Sequence, residues 1–178
     1  MIAIFTGMRR SEICQLNKSD VVVENGIKCI RVGDGENGQL IKSDSSRRLI
    51  PIHSELIRLG FQKFVEETAP GPLFPELKPS KVGDGFHVRW RWFDRAVARE
   101  VNQNPGKSFY SIRYSFAEKL TKAGVPSPVR FALLGRQNFV DASLTSSQAF
   151  PLIDVLHDVV EKIAYDGVSL EKVMVYLP

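Results

Sequence analysis

Thr6-Gly7-Met8-Arg9-Arg10-Ser11-Glu12-Ile13-Cys14-Gln15-Leu16, with Asp20-Val21 close behind, is the stretch from which the rest of the chain can be placed. Thr6-Gly7 reads as a turn, and residues 10–16 read as a short helix with Ile13 and Leu16 on one face. The glycine lets the backbone approach a ligand closely. Arg9 stands just ahead of the helix, and Glu12 lies three residues on, the spacing at which a carboxylate can hold an arginine in place. A guanidinium offers paired donors that match the oxygens of a phosphate. A surface helix with an internal ion pair would carry the same residues.

Working outward, Met1 to Phe5 are apolar and read as the tail of a buried helix. Residues 27–33 alternate like a strand. Residues 33–38, Gly-Asp-Gly-Glu-Asn-Gly, form a turn or loop. Residues 39–42 and 47–52 read as two further strands joined by Ser43-Asp44-Ser45-Ser46. Helical patterns follow at 54–67, 86–103 and 109–123, the last stopped by Gly124. A short helix starts at Pro126 or Pro128 and ends at Gly135. A last long helix covers 150–164, a loop rich in Pro and Gly covers 70–84, and a short segment, Leu170 to Val175, closes the chain. The expected fold is mainly α with a small antiparallel β-sheet on one side of a helical body. No internal repeat or low-complexity tract divides the chain, and 178 residues fit one domain with a sizeable core.

Charge narrows the function. The net charge is +4, with a pI near 9.1. Residues 78–122 hold ten Lys or Arg against four Asp or Glu, a local balance of +6, whereas residues 123–178 balance at −2. A basic middle beside a nearly neutral tail suits a one-sided nucleic-acid surface, though a solvated charged face would look similar. No apolar run approaches the roughly 20 residues of a membrane helix, and no signal peptide is visible. Cys14 and Cys29 lack the His or Cys partners of a metal signature. Both sit in apolar segments and read as reduced core residues of a cytoplasmic protein.

Three more boxes join the first: Lys42-Ser43-Asp44-Ser45-Ser46-Arg47-Arg48-Leu49-Ile50-Pro51, Ser108-Phe109-Tyr110-Ser111-Ile112-Arg113, and Leu133-Leu134-Gly135-Arg136. Taken in order with the first, over residues 4–172, they resemble the catalytic domain of tyrosine recombinases, the phage integrase family. The resemblance implies an integrase-like α+β catalytic core that binds double-stranded DNA. It would serve site-specific recombination by strand cleavage and rejoining, with neither metal nor other cofactor. In that family Arg9, Arg113 and the residue at Arg136 hold the scissile phosphate. Lys42, on a β-hairpin, would protonate the leaving 5′ oxygen, its ammonium made acidic by neighbouring cations. Tyr110 stands where the family usually has His. It keeps a hydrogen-bond donor but is no proton shuttle near neutral pH, and a structural tyrosine fits the position too. Arg136 stands where the family has His or Trp, and as a charge at a helix C-terminus it also fits. Arg10, Arg47, Arg48, Arg89, Arg91 and Arg95 are candidate DNA contacts.

The nucleophile is the departure. The family places a tyrosine shortly after the Arg136 position, yet residues 141–152 contain none, and Ser146-Ser147 occupy its place. Tyr165 falls in the tail that follows the nucleophile and reads as a packing residue; Tyr176 is a weaker candidate still. Ser146 has no evident base nearby in sequence. The resemblance also implies helices and a DNA-clamping domain ahead of residue 1, so residues 1–178 are expected to be an N-terminally truncated catalytic domain. Family members exchange a C-terminal segment between protomers, which makes Ser169 to Pro178 a candidate for homo-oligomer contacts on DNA. Two readings of function stay open: a recombinase catalytic domain, and a catalytically inactive relative that binds DNA or a partner recombinase. A small helical interaction domain matching the boxes by chance is a third.

Overall fold

A computed structural model of the chain describes residues 1–33, 39, 43–77, 95, 99, 107–136 and 152–165. Helix α1 (Ile2–Thr6) ends at Gly7, whose φ of +59° belongs to the left-handed region that favours glycine. The chain reverses there into α2 (Arg10–Cys14). A single 3₁₀ turn at 18–20 leads to strand β1 (Val21–Glu24). Asn25 and Gly26 both have positive φ, 49° and 80°, and turn β1 back into β2 (Ile27–Val32). This is the conformation that an Asn-Gly hairpin turn requires. Strand β3 (Arg48–Pro51) pairs antiparallel with the other side of β2, so the sheet order is β1-β2-β3.

The other α-helices among the described residues are α3 (Ser54–Arg58), α4 (Phe61–Glu67), α5 (Phe109–Lys122), α6 (Ser127–Leu134) and α7 (Ile153–Val160). α1 lies against α5, while α6 and α7 lie against β3. Between them sits one core in which Phe5, Met8, Leu16, Ile30, Ile50, Leu56, Phe116, Leu120, Leu133 and Ile163 are fully buried. Each such side chain contributes about 1.5–3 kcal/mol by leaving water.

The fold class read from the sequence is the one observed. Several boundaries differ. The helix expected over 54–67 is two helices, because Gly60 takes φ +91° and begins a new turn at Phe61. The last helix is shorter than 150–164, and β1 was not anticipated. The strand expected at 39–42 falls outside the described residues except for Gln39, and the segment at 170–175 lies wholly outside them. In the helix expected at 86–103, Arg95 and Arg99 are described, and both are helical and exposed. Cys14 and Cys29 are buried free thiols, as expected. Among the described residues no helix is long and apolar enough to cross a membrane.

Two polar anchors fasten the end of the described chain, one to the segment that follows β3 and one to α1. His53 is buried; its Nδ1 accepts the Glu55 N–H (2.9 Å) and its Nε2 lies 3.0 Å from the Ile163 carbonyl. Tyr165 donates its hydroxyl to the Ile4 carbonyl (2.7 Å) and sets its ring edge-on to Phe5. Burial raises the Tyr165 phenol to about 12.

Gly7 tests this packing. A Cβ there would collide with the Phe116 ring, in a backbone region that L-residues rarely adopt. Gly7→Ala is expected to cost about 2–4 kcal/mol, read as a lowered Tm in thermal unfolding. An unchanged Tm would show that the turn between α1 and α2 does not depend on glycine.

Candidate functional site

The Gly7 turn delivers Arg9 to the start of α2, where the Arg9 backbone N–H donates to Glu12 Oε2 (2.7 Å). A carboxylate three residues into a helix satisfies one of the amides left over at the helix start. The Arg9 side chain then folds back onto the same carboxylate, Nη1 to Oε1 at 2.6 Å. Its Nη2 donates to the Gly135 carbonyl at 3.0 Å, and Nη1 is 3.4 Å from Ser46 Oγ. Residues from the first, second and fourth sequence boxes thus meet on one guanidinium.

Arg48 approaches Glu12 from the other side. In β3 it shares a face with Ile50, and that face points inward. The side chain is only 2% exposed and makes a bidentate pair with Glu12, Nη1 to Oε1 at 3.1 Å and Nη2 to Oε2 at 2.9 Å. Nη1 also donates to the Ser46 carbonyl (2.7 Å) and Nε to the Leu133 carbonyl (2.8 Å). Glu12 therefore accepts four N–H groups, two on each oxygen, which fills a carboxylate's capacity. Burial alone would raise its pKa, but Arg48 and Arg9 outweigh that and hold it below the ordinary value of 4.5.

Arg113, on α5, completes the cluster. It is 3% exposed and donates Nη1 to the Gly7 carbonyl (2.6 Å) and Nη2 to the Leu134 carbonyl. Its Nε is buried without a hydrogen-bond partner among the described residues. Burial, then the nearby charges of Arg9 and Arg48, pull its pKa down from the ordinary guanidinium value to about 10. It stays cationic at neutral pH. Gly135 is needed where these groups converge: it has φ +56°, and a Cβ there would lie 2.7 Å from Arg48 Nη1. Three guanidiniums facing one carboxylate leave the cluster with a balance of +2.

The remaining expected residues fall in different places. Arg136 follows Gly135 directly and is exposed. Tyr110 lies one helical turn before Arg113, 47% exposed, its ring edge-on to Tyr114 at 5.1 Å. Arg10 lies beside Arg9 at the start of α2, partly buried. Arg47 is exposed and weakly paired with Asp44 at 3.5 Å. Arg48, expected to touch DNA, is instead internal, its donors taken by Glu12 and two main-chain carbonyls. The signal for this was the inward alternation of residues 48, 50 and 52 in a strand. Lys42, Arg89, Arg91, Ser146 and Tyr176 lie outside the described residues, and Arg95 is exposed.

No family model matches the sequence, and no curated protein matches it. Solved structures do. The Tn1549 transposon integrase (residues 82–397), in complex with circular intermediate DNA, superposes with a TM-score of 0.52 at 16% identity. The match covers 98% of this chain and 56% of that one, so the present chain spans just over half of its length. The XerH site-specific recombinase, bound to difH substrate in a pre-cleavage complex, gives a TM-score of 0.49 at 20% identity, over 97% of this chain and 44% of that one. At the identity of the first match the likeness establishes the fold, which resembles that of an integrase catalytic domain.

The depressed Glu12 pKa sets a pH dependence. The unfolded chain holds a proton on this carboxyl more readily than the folded one. Its contribution to stability is therefore complete above about pH 4.5 and is lost as pH falls through the lower folded value. Glu12→Gln is expected to lower the Tm at pH 7, with the gap from the wild type narrowing as pH drops below 4.5. Thermal unfolding of both proteins between pH 3 and 7 measures this. A gap of constant size would remove the ionised pair from the account.

Proposed function

We propose that residues 1–178 form an integrase-type catalytic domain that binds double-stranded DNA in site-specific recombination and seats one phosphodiester at the Arg9 cluster. The observation that carries this reading is the convergence of Arg9, Arg48 and Arg113, from three distant segments, around one carboxylate at the Gly7 and Gly135 turns. Buried positive charge in excess of its counter-charge is costly unless an anion arrives to share it. A phosphodiester in strand exchange is such an anion, and preorganised guanidiniums stabilise the extra charge of its transition state.

The proposed roles rest on burial for the described residues and on the family resemblance for the others. Arg9, whose side chain is 19% exposed, meets the phosphate directly. Arg113 acts from beneath as a fixed charge and as a staple on the Gly7 and Leu134 carbonyls. Arg136 and Tyr110, both exposed, supply further donors. Lys42 is the general acid toward the leaving 5′ oxygen. Arg10, Arg47, Arg89, Arg91 and Arg95 are assigned to duplex contacts from the sequence resemblance. Oligomer formation on DNA, through residues 169–178, belongs to the same proposal.

One observation favours a second reading, in which the chain binds DNA or a partner recombinase without cutting. Residues 137–152 contain no tyrosine, and Tyr165, the next one along, already gives its hydroxyl to the Ile4 carbonyl. Its phenol is also pushed to about 12, away from the phenolate that attack requires.

Binding of a labelled duplex, titrated over salt, tests the shared premise. The affinity is expected to fall steeply with salt, and Arg9→Ala to flatten the log–log slope by about one unit. If Arg9→Ala leaves both affinity and slope unchanged, the phosphate does not sit there. A nicked duplex separates the two readings. An SDS-resistant adduct with the wild type supports cleavage; an adduct that forms only after Ser146→Tyr supports the binding-only reading.

A further inference from the structure

The Arg48 side chain is 2% exposed and has no solvent face through which to meet a ligand. Four of its five N–H groups are spent, on both Glu12 oxygens, the Ser46 carbonyl and the Leu133 carbonyl. Arg9 is placed differently. It contacts Glu12 through a single side-chain nitrogen and keeps access to solvent.

Glu12 has two tasks that conflict. It must fix the Arg9 side chain, yet a carboxylate 2.6 Å from a guanidinium cancels the charge that an anion would seek. A one-to-one Arg9–Glu12 pair would be nearly neutral at the one guanidinium of the three that reaches water. Arg48 resolves the conflict by occupying both carboxylate oxygens at once, in the geometry where a guanidinium pairs most strongly. We infer that Arg48 is a positioning residue that serves as the internal counter-ion of Glu12, so that Glu12 can orient Arg9 without neutralising it toward a bound phosphate. The inference rests on the anion-binding reading given above. Counted by charge, the wild-type cluster stands at +2, Glu12→Gln at +3, Arg48→Met at +1, and the double variant Glu12→Gln/Arg48→Met back at +2.

The test is duplex DNA affinity and its salt slope for these four proteins, each measured below its own Tm. Arg48→Met is expected to weaken binding by about tenfold and to flatten the slope by about one unit. The double variant is expected to recover most of that loss, and Glu12→Gln alone to bind at least as tightly as the wild type. A purely structural role for Arg48 predicts the opposite for the double variant: affinity as poor as that of Arg48→Met, or poorer. That result overturns the inference. If Arg48→Met does not fold, the order of the other three decides, since double-variant binding far below that of the wild type overturns the inference equally. A wild type with no salt-dependent DNA binding would instead overturn the proposed function, and this inference with it.

Discussion

The carboxylate of Glu12 is the point on which the described structure turns. It accepts from the Arg9 backbone, the Arg9 side chain and both terminal nitrogens of Arg48. Through Arg48 it is tied to β3, to Ser46 ahead of that strand and to the end of α6; through Arg9 it is tied to Gly135. A buried carboxylate so placed is stable only with all of its donors present. Removing one partner of such a pair leaves an unpaired buried charge, which typically costs about 3–5 kcal/mol. The network therefore fixes how α2, β3 and the α6 end meet, more tightly than apolar packing alone would.

Apolar packing supplies the frame on which the network sits. Phe116 fills the space above Gly7 and Leu133 is wholly buried, so the two turns that present their carbonyls to the arginines are held from behind. Arg113 then connects them, taking one carbonyl from each. Charge and core are not separate layers here. The arginines replace the solvent that the carbonyls of Gly7, Leu133, Leu134 and Gly135 would otherwise need.

What could be read from sequence followed how local the cause was. Gly124 and Gly135 punctuate α5 and α6 where expected, because a residue with positive φ ends a helix regardless of distant partners. Glu12 beside Arg9 was legible from three-residue spacing. Asn25-Gly26 is an equally local hairpin signal, and it marks the end of β1. Gly60 was hidden inside a continuous apolar helical pattern in which a break leaves the buried face intact. Arg48 was misplaced for a different reason. Two adjacent arginines in a basic hairpin look alike in sequence, and only the inward turn of the strand separates Arg47 in solvent from Arg48 in the core.

The hydrogen bonds of Arg9, Arg48 and Arg113 to main-chain carbonyls have a consequence for descent. These side chains hold the tertiary structure together as well as bearing charge. A lineage that had ceased to use such a charge cluster would still be selected to keep them, since losing any one would cost the domain stability. The arginine boxes of such a sequence would then persist as structural residues, and their presence would record the need to fold as much as the need to react.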